Sequence, residues 1–329
     1  MIAQPEIIDI RGVCEGDPAA LERVARELVR PCTEWGVFQV VGHGIPAAQT
    51  ARFEDAMRAF FELPVEAKRA VRRTRDNAWG YYDEELTKNR PDWKEVFDFG
   101  ADRDRADPDT RHSDGVNQWP PAAAPGFREV MLDQRAANER VALALLRALC
   151  LSLGLAPDAL DTAFRPGSSF LRLNRYAPCP EPAPADAPLF PERGHLGVHH
   201  HTDAGALTVL FQDEVAGLQA ERGGRFVTIE PVPGALTINL GDMLQVWSND
   251  RYRSPLHRVL ASGESARHSA PFFLNPSYGT TCAPLPDLLG PDEPARFSSI
   301  SWSHFRDQRS AGDYADYGSE IQIEDFRID

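Results

Sequence analysis

His201 and Asp203 stand two positions apart in the run His199 to Asp213, HHHTDAGALTVLFQD. Side chains alternate faces along an extended strand, so this spacing turns an imidazole and a carboxylate toward one point. A third ligand is available downstream. His257 lies in SNDRYRSPLHRVL, which reads as a strand reached through an Asn-Asp turn. Two histidines and one carboxylate form a facial metal triad, the ligand set of non-haem Fe(II) sites whose open positions take a co-substrate and dioxygen. If His201 and His257 only hydrogen-bonded inside a barrel, Arg267 and Asp203 would be left as buried charges with no ligand to explain them. His199 shares the strand face of His201, but two imidazoles suffice, and the register to Asp203 favours His201. His199 is then expected near the substrate entrance and His200 on the opposite face.

Such a metal needs electrons beyond those its substrate supplies, and a 2-oxo acid provides them. Its far carboxylate requires a fixed cation and hydroxyl donors inside an otherwise closed barrel. Arg267 and Ser269, again two apart, are aimed inward together while His268 faces away. Arg172, Asn174 and Tyr176 alternate in the same manner. Tyr176 offers a phenolic hydrogen bond to that carboxylate, and Asn174 is placed to orient ligands near the metal.

The elements that must carry these residues follow from pattern. Pro5 to Ile10 reads as a short strand, Asp17 to Trp35 as a helix, Val37 to Pro46 as a strand ending in a Gly-His-Gly turn, and Ala47 to Ala70 as helix broken at Pro64. His43, in that turn, is expected to make a local hydrogen bond. Arg72, Arg73 and Arg75 precede Tyr81 and Tyr82 in what reads as a solvated basic loop. Ala101 to Ala124, with His112, reads as surface loop. A long helix is expected from Pro125 to about Gly154, bracing a sheet. From Ser168 to about Ser277 the chain reads as strands and turns of an antiparallel barrel or sandwich, including ALTINLGDMLQVWSND. Ala177 to Gly197 is expected to be a mobile loop, and the tail from Asp307 to cover one end of the barrel. His195 and His304 read as packing or surface histidines.

A formal charge of −14 over 329 residues argues against general binding to nucleic acid or anionic membrane, which leaves a small molecule as the default partner. Five cysteines, an odd number without paired spacing, read as reduced thiols of a cytoplasmic protein. Neither a signal peptide nor a membrane span is expected.

In their order and detail, EWGVFQVVGHGIP, NRYAPCP, HTDAGALTVLFQDEVAGLQ, INLGDMLQVWSND, SPLHRVL and RHSAPFFLNP resemble the isopenicillin N synthase-like family of iron and 2-oxoglutarate dependent dioxygenases. The resemblance spans nearly the whole chain. It implies a mainly β fold with flanking α-helices around a double-stranded β-helix, or jelly-roll, core. It implies Fe(II) on His201, Asp203 and His257, and 2-oxoglutarate on Arg267, Ser269 and Tyr176, with Asn174 beside them. The expected regions are 1–120, an N-terminal α/β dioxygenase region; 121–167, a bracing helix; 168–296, the jelly-roll core; and 297–329, a covering tail. The implied reaction consumes dioxygen, releases succinate and CO2, and oxidises a C–H bond of a small molecule, hydroxylation being the default outcome.

Two alternatives use the same residues: an oxidase that needs no 2-oxoglutarate, and a non-catalytic binder of a small acid. The substrate itself is not legible. A carboxylated amino acid, peptide or natural-product intermediate received by Arg72, Arg73 or Arg75 is one expectation, and a monomer or weak homo-oligomer is the simplest assembly.

Overall fold

A computed structural model describes residues 4–74, 76–102, 115–314 and 318–328; Arg75 and His112 lie outside them. The chain begins β1 (Ile7–Asp9), α1 (Pro18–Glu34), β2 (Val37–Val41), α2 (Ala47–Phe61) and α3 (Val65–Arg69). Helix α1 starts where side-chain chemistry dictates: Asp17 accepts the Ala19 backbone N–H at 2.9 Å, and Pro18 occupies the first turn. Next come β3 (Gly80–Tyr82), the short strands β4 (Leu86–Thr87) and β5 (Arg90–Pro91), and β6 (Glu95–Gly100). The long helix α4 (Phe127–Ser152) precedes β7 (Phe170–Tyr176), β8 (Leu196–His201), β9 (Leu207–Gln212), β10 (Leu218–Arg222), β11 (Arg225–Thr228) and β12 (Leu236–Leu240). Helix α5 (Asp242–Trp247), β13 (His257–Leu260), β14 (Arg267–Leu274), β15 (Thr281–Cys282), β16 (Ile300–Ser301) and α6 (Trp302–Gly312) follow.

Two sheets make the jelly roll. The larger has the order β1-β2-β12-β9-β14-β7-β6-β3, and the smaller β11-β10-β13-β8. Between them Tyr176 and Leu210 of the large sheet meet Val198, Leu218 and Val259 of the small one. The outer face of the large sheet, with Leu171, Val209 and Phe272, is sealed by α4 through Met131, Val141 and Leu145, as the helical stripe predicts. Burying this apolar layer on one side leaves the inner face of the same strands free to carry polar groups.

Three local expectations change. DMLQVW, read as strand, is the short helix α5: a run of six residues is too short for its apolar period to separate helix from strand. Strand β8 stops at His201, so Asp203 sits in the following turn instead of on the strand. The segment after Tyr176, expected to be mobile, is strapped down. Buried Arg258 donates to the carbonyls of Ala185, Ala187 and Pro188 at 3.1, 2.8 and 3.1 Å, and Gln219 donates to Ala185 O as well. Part of the tail meets the β4–β5 turn. Glu320 accepts the Lys88 N–H at 2.7 Å and Gly318 O accepts from Asn89 Nδ2 at 2.8 Å, clamping the β4–β5 turn, whose two central residues both have positive φ.

Candidate active site

Strand pairing gathers the metal candidates. His201, at the end of β8, is the register partner of His257, at the start of β13, and the two rings lie 4.3 Å apart. Asp203 Oδ1 is 3.7 Å from His201 Nε2 and 3.6 Å from His257 Nε2, and one ligand atom from each of the three residues falls within 4.8 Å of the others. Backbone carbonyls fix both tautomers. His201 Nδ1 is 2.9 Å from His199 O, and His257 Nδ1 is 2.9 Å from Pro255 O. A carbonyl only accepts, so each Nδ1 carries a proton and each Nε2 is the nitrogen turned toward Asp203. Thr208 donates to Asp203 Oδ2 at 2.6 Å, which leaves Oδ1 for the common point. Although 24% of the His201 side chain is exposed, crowding by protein and the adjacent His257 hold its imidazole well below the ordinary range, so the ring stays neutral.

A second cross-strand cluster lies in the same cavity. Arg267 pairs with Tyr176 and Ser269 with Asn174 across β14 and β7, which puts all four on the inner face. Arg267 is 2% exposed; its Nε donates to Val215 O at 3.1 Å and one terminal nitrogen, Nη2, to Gln212 at 3.1 Å. Its other terminal nitrogen, Nη1, has no partner among the described residues, and neither does Asn174 Oδ1. A buried guanidinium with an idle N–H and no carboxylate is a site made for an anion. His268 faces the other way, toward Arg58 and Asp213.

Residues 167–276 match the family model of the 2OG-Fe(II) oxygenase superfamily, and residues 6–122 the model of the non-haem dioxygenase in morphine synthesis N-terminal region. Flavonol synthase/flavanone 3-hydroxylase of Arabidopsis thaliana is 31% identical over 323 residues, covering 92% of this chain and 88% of that protein. The chain belongs to the 2OG-Fe(II) oxygenase superfamily. Gibberellin 2-beta-dioxygenase 5 of Oryza sativa subsp. japonica is 32% identical over 98% of this oxygenase and 87% of its own length. The solved structure of JOX2 in complex with 2OG, Fe and JA shares 26% identity at TM-score 0.79, covering 99% of this chain and 90% of that one. The protein is thus an Fe(II)- and 2-oxoglutarate-dependent dioxygenase. No described helix is long and apolar enough to cross a membrane.

Beside the site of this oxygenase lies a buried charge network that sequence reading did not foresee. Lys94 borders the metal cavity and holds Glu85 at 2.7 Å and Asp92 at 3.0 Å. Arg172 binds Asp98 through two nitrogens at 2.8 Å and Glu85 through a third at 2.8 Å. Burial alone would raise the Glu85 carboxyl, but Arg172, Lys94 and Arg73 hold it well below the usual carboxylate range. Arg73 belongs to this buried network, with Glu85 at 2.7 Å and Asp98 at 2.9 Å, and Arg72 pairs with Asp83 and Glu84. A solvated loop does not describe buried Arg73, while Arg72 is partly exposed with its charge matched by its two acids. His199 is also redirected: Asp92 engages its ring at 3.0 Å, while His200 bonds Leu189 O at 3.0 Å. His43 makes the local bond expected, accepting the Ile45 N–H at 3.2 Å, and a long-range one with Gly234 O at 3.1 Å. His195 packs on Trp93, and His304 is exposed.

Proposed function

We propose that His201, Asp203 and His257 hold the Fe(II) and that Arg267, with Ser269, Tyr176 and Asn174 around it, receives the far carboxylate of 2-oxoglutarate, in support of hydroxylation of a small molecule. The unpartnered Arg267 Nη1 in the cavity of the three-ligand cluster carries this reading. The donor set fits the metal: two imidazoles and one carboxylate suit Fe(II), and backbone carbonyls on each Nδ1 leave each Nε2 facing the common point. When bound, iron and 2-oxoglutarate supply the oxidising power, with dioxygen as oxidant and succinate and CO2 as by-products.

The chain's own share is positional. Thr208 keeps Asp203 from turning, and the two strand carbonyls keep the imidazoles facing it. Val198, Leu210, Leu218 and Val259 wall the cavity with apolar surface, which excludes water and strengthens the grip of Arg267 on an anion. The substrate's C–H bond is then held on the open side of His201.

Anaerobic titration of metal-stripped protein with Fe(II) and 2-oxoglutarate tests the assignment. The weak visible charge-transfer band of a 2-oxo acid chelated on iron is expected in the wild type and lost in Arg267→Ala and His257→Ala. A band that survives in both variants sinks it.

A further inference from the structure

Past His201 the metal cavity continues into a second one of about 120 Å³, and the two share Lys94, Arg172, Val198, His201, Asp203 and Phe273. The far wall of this space is α6, which contributes Trp302, Arg306 and Arg309. Its cations are not equivalent. Arg172 and Lys94 each hold two carboxylates within 3.0 Å. Arg309 donates to the carbonyls of Thr202 at 2.6 Å and Ile321 at 3.2 Å, and its nearest carboxylate, Asp242, stands off at 4.0 Å.

Arg306 is different again. Among the described residues its guanidinium has no hydrogen-bond acceptor and no carboxylate within 4.0 Å; it lies half-buried over the Phe170 ring at 5.2 Å. Asp313 feels its charge but lies beyond ion-pair reach, and burial together with Glu85 pushes that carboxyl up to about 6. A half-desolvated guanidinium with five idle donors is stabilised by a planar anion that matches its fork. Beside it Phe170, Phe273 and the Trp302 ring, whose N–H is already given to Ser168, present apolar surface.

We propose that the primary substrate is an apolar molecule ending in a carboxylate, which docks on Arg306 with Arg309 behind it and lays its apolar body along Phe170 and Phe273 toward His201. This rests on the placement of iron at His201, Asp203 and His257. It moves the carboxylate site from Arg72 and Arg73, whose charges are met by neighbouring acids, to α6, where among the described residues no carboxylate lies within ion-pair reach of Arg306.

The test is calorimetric titration of anaerobic protein loaded with Fe(II) and 2-oxoglutarate. The probes are straight-chain acids from hexanoate to dodecanoate and 3-phenylpropionate, each beside its primary amide. At least one acid binds wild type about tenfold more tightly than its amide, and in Arg306→Gln the preference shrinks to about twofold or less. Arg306→Lys restores part of it. If no acid outbinds its amide in the wild type, or if the preference survives in Arg306→Gln, the inference is overturned. The charge-transfer band recorded on the same samples separates the two claims. Its absence in the wild type would count against the iron placement; an intact band without an acid preference counts only against the Arg306 site.

Discussion

One carboxylate oxygen, Asp92 Oδ1, binds His199 twice, accepting its backbone N–H at 2.9 Å and meeting its ring nitrogen at 3.0 Å. The carbonyl of that same His199 orients His201. With iron on His201 as proposed, Asp92 would act on the metal through the strand backbone. Asp92→Ala should lower Fe(II) affinity by about tenfold to a hundredfold while leaving the fold intact. Competition against a fluorescent chelator measures this, and an affinity equal to that of the wild type would remove the role.

Arg267→Gln keeps two donors but loses the charge and the fork. Affinity for 2-oxoglutarate should drop about a hundredfold, the equivalent of about 3 kcal/mol, with Fe(II) affinity unchanged. Titration of the charge-transfer band gives the first number and chelator competition the second. Arg267→Lys should recover only part of the loss, because a point charge cannot reproduce the planar contact.

Asp242 gives a stability signature with a definite sign. It is 0% exposed, one of its oxygens has no hydrogen-bond partner among the described residues, and burial pushes its carboxyl up to about 6 against the opposing pull of Arg309 and Thr202. An Asp in the unfolded chain titrates near 3.9. Between those values the folded protein keeps a proton that the unfolded chain has released, so this residue's contribution to stability falls as pH rises through the window. Completed, the loss is about 3 kcal/mol. Asp242→Asn should remove it: its stability relative to wild type should improve from about pH 4 to about pH 7. Urea melts at both ends check this, and parallel pH profiles would refute it.

Arg258→Gln should release the segment from Ala185 to Pro188. Three backbone carbonyls would lose a buried donor, with a stability cost of about 2–4 kcal/mol and faster proteolytic nicking within 177–195. Limited proteolysis with mass mapping decides it; a cleavage map identical to wild type would contradict the strap.

What could be read in advance was what depends on spacing along one strand. Arg267 with Ser269, and Asn174 with Tyr176, obey the two-residue alternation, and β14–β7 pairing then sets them opposite each other. His201 was read from its two-residue spacing to Asp203, and His257 from its place in a second strand after the Asn-Asp turn. Asp203 was found through a partly mistaken premise: it lies just past the strand end, and the turn brings its side chain round. The contacts of Asp92 and Lys94 were hidden because they depend on which strand ends a sheet; Asp92 and His199 are 107 residues apart in sequence. Arg73 looked solvated because its run is cationic, and its neutralising acids, Glu85 and Asp98, come from segments that meet only in the fold. Arg306 gave no sequence signal, since an arginine on a polar helix is ordinary until one sees that no carboxylate among the described residues pairs with it.

Strand β8 is the last strand of its sheet, so its outer backbone groups have no ladder partner. Trp93 N–H covers Leu196 O, and Asp92 covers the His199 N–H. An uncovered edge of this kind invites strand addition by another copy. The pair Asp92 and Trp93 thus has a second duty: it occupies two backbone groups of an edge strand that would otherwise stand open to strand addition.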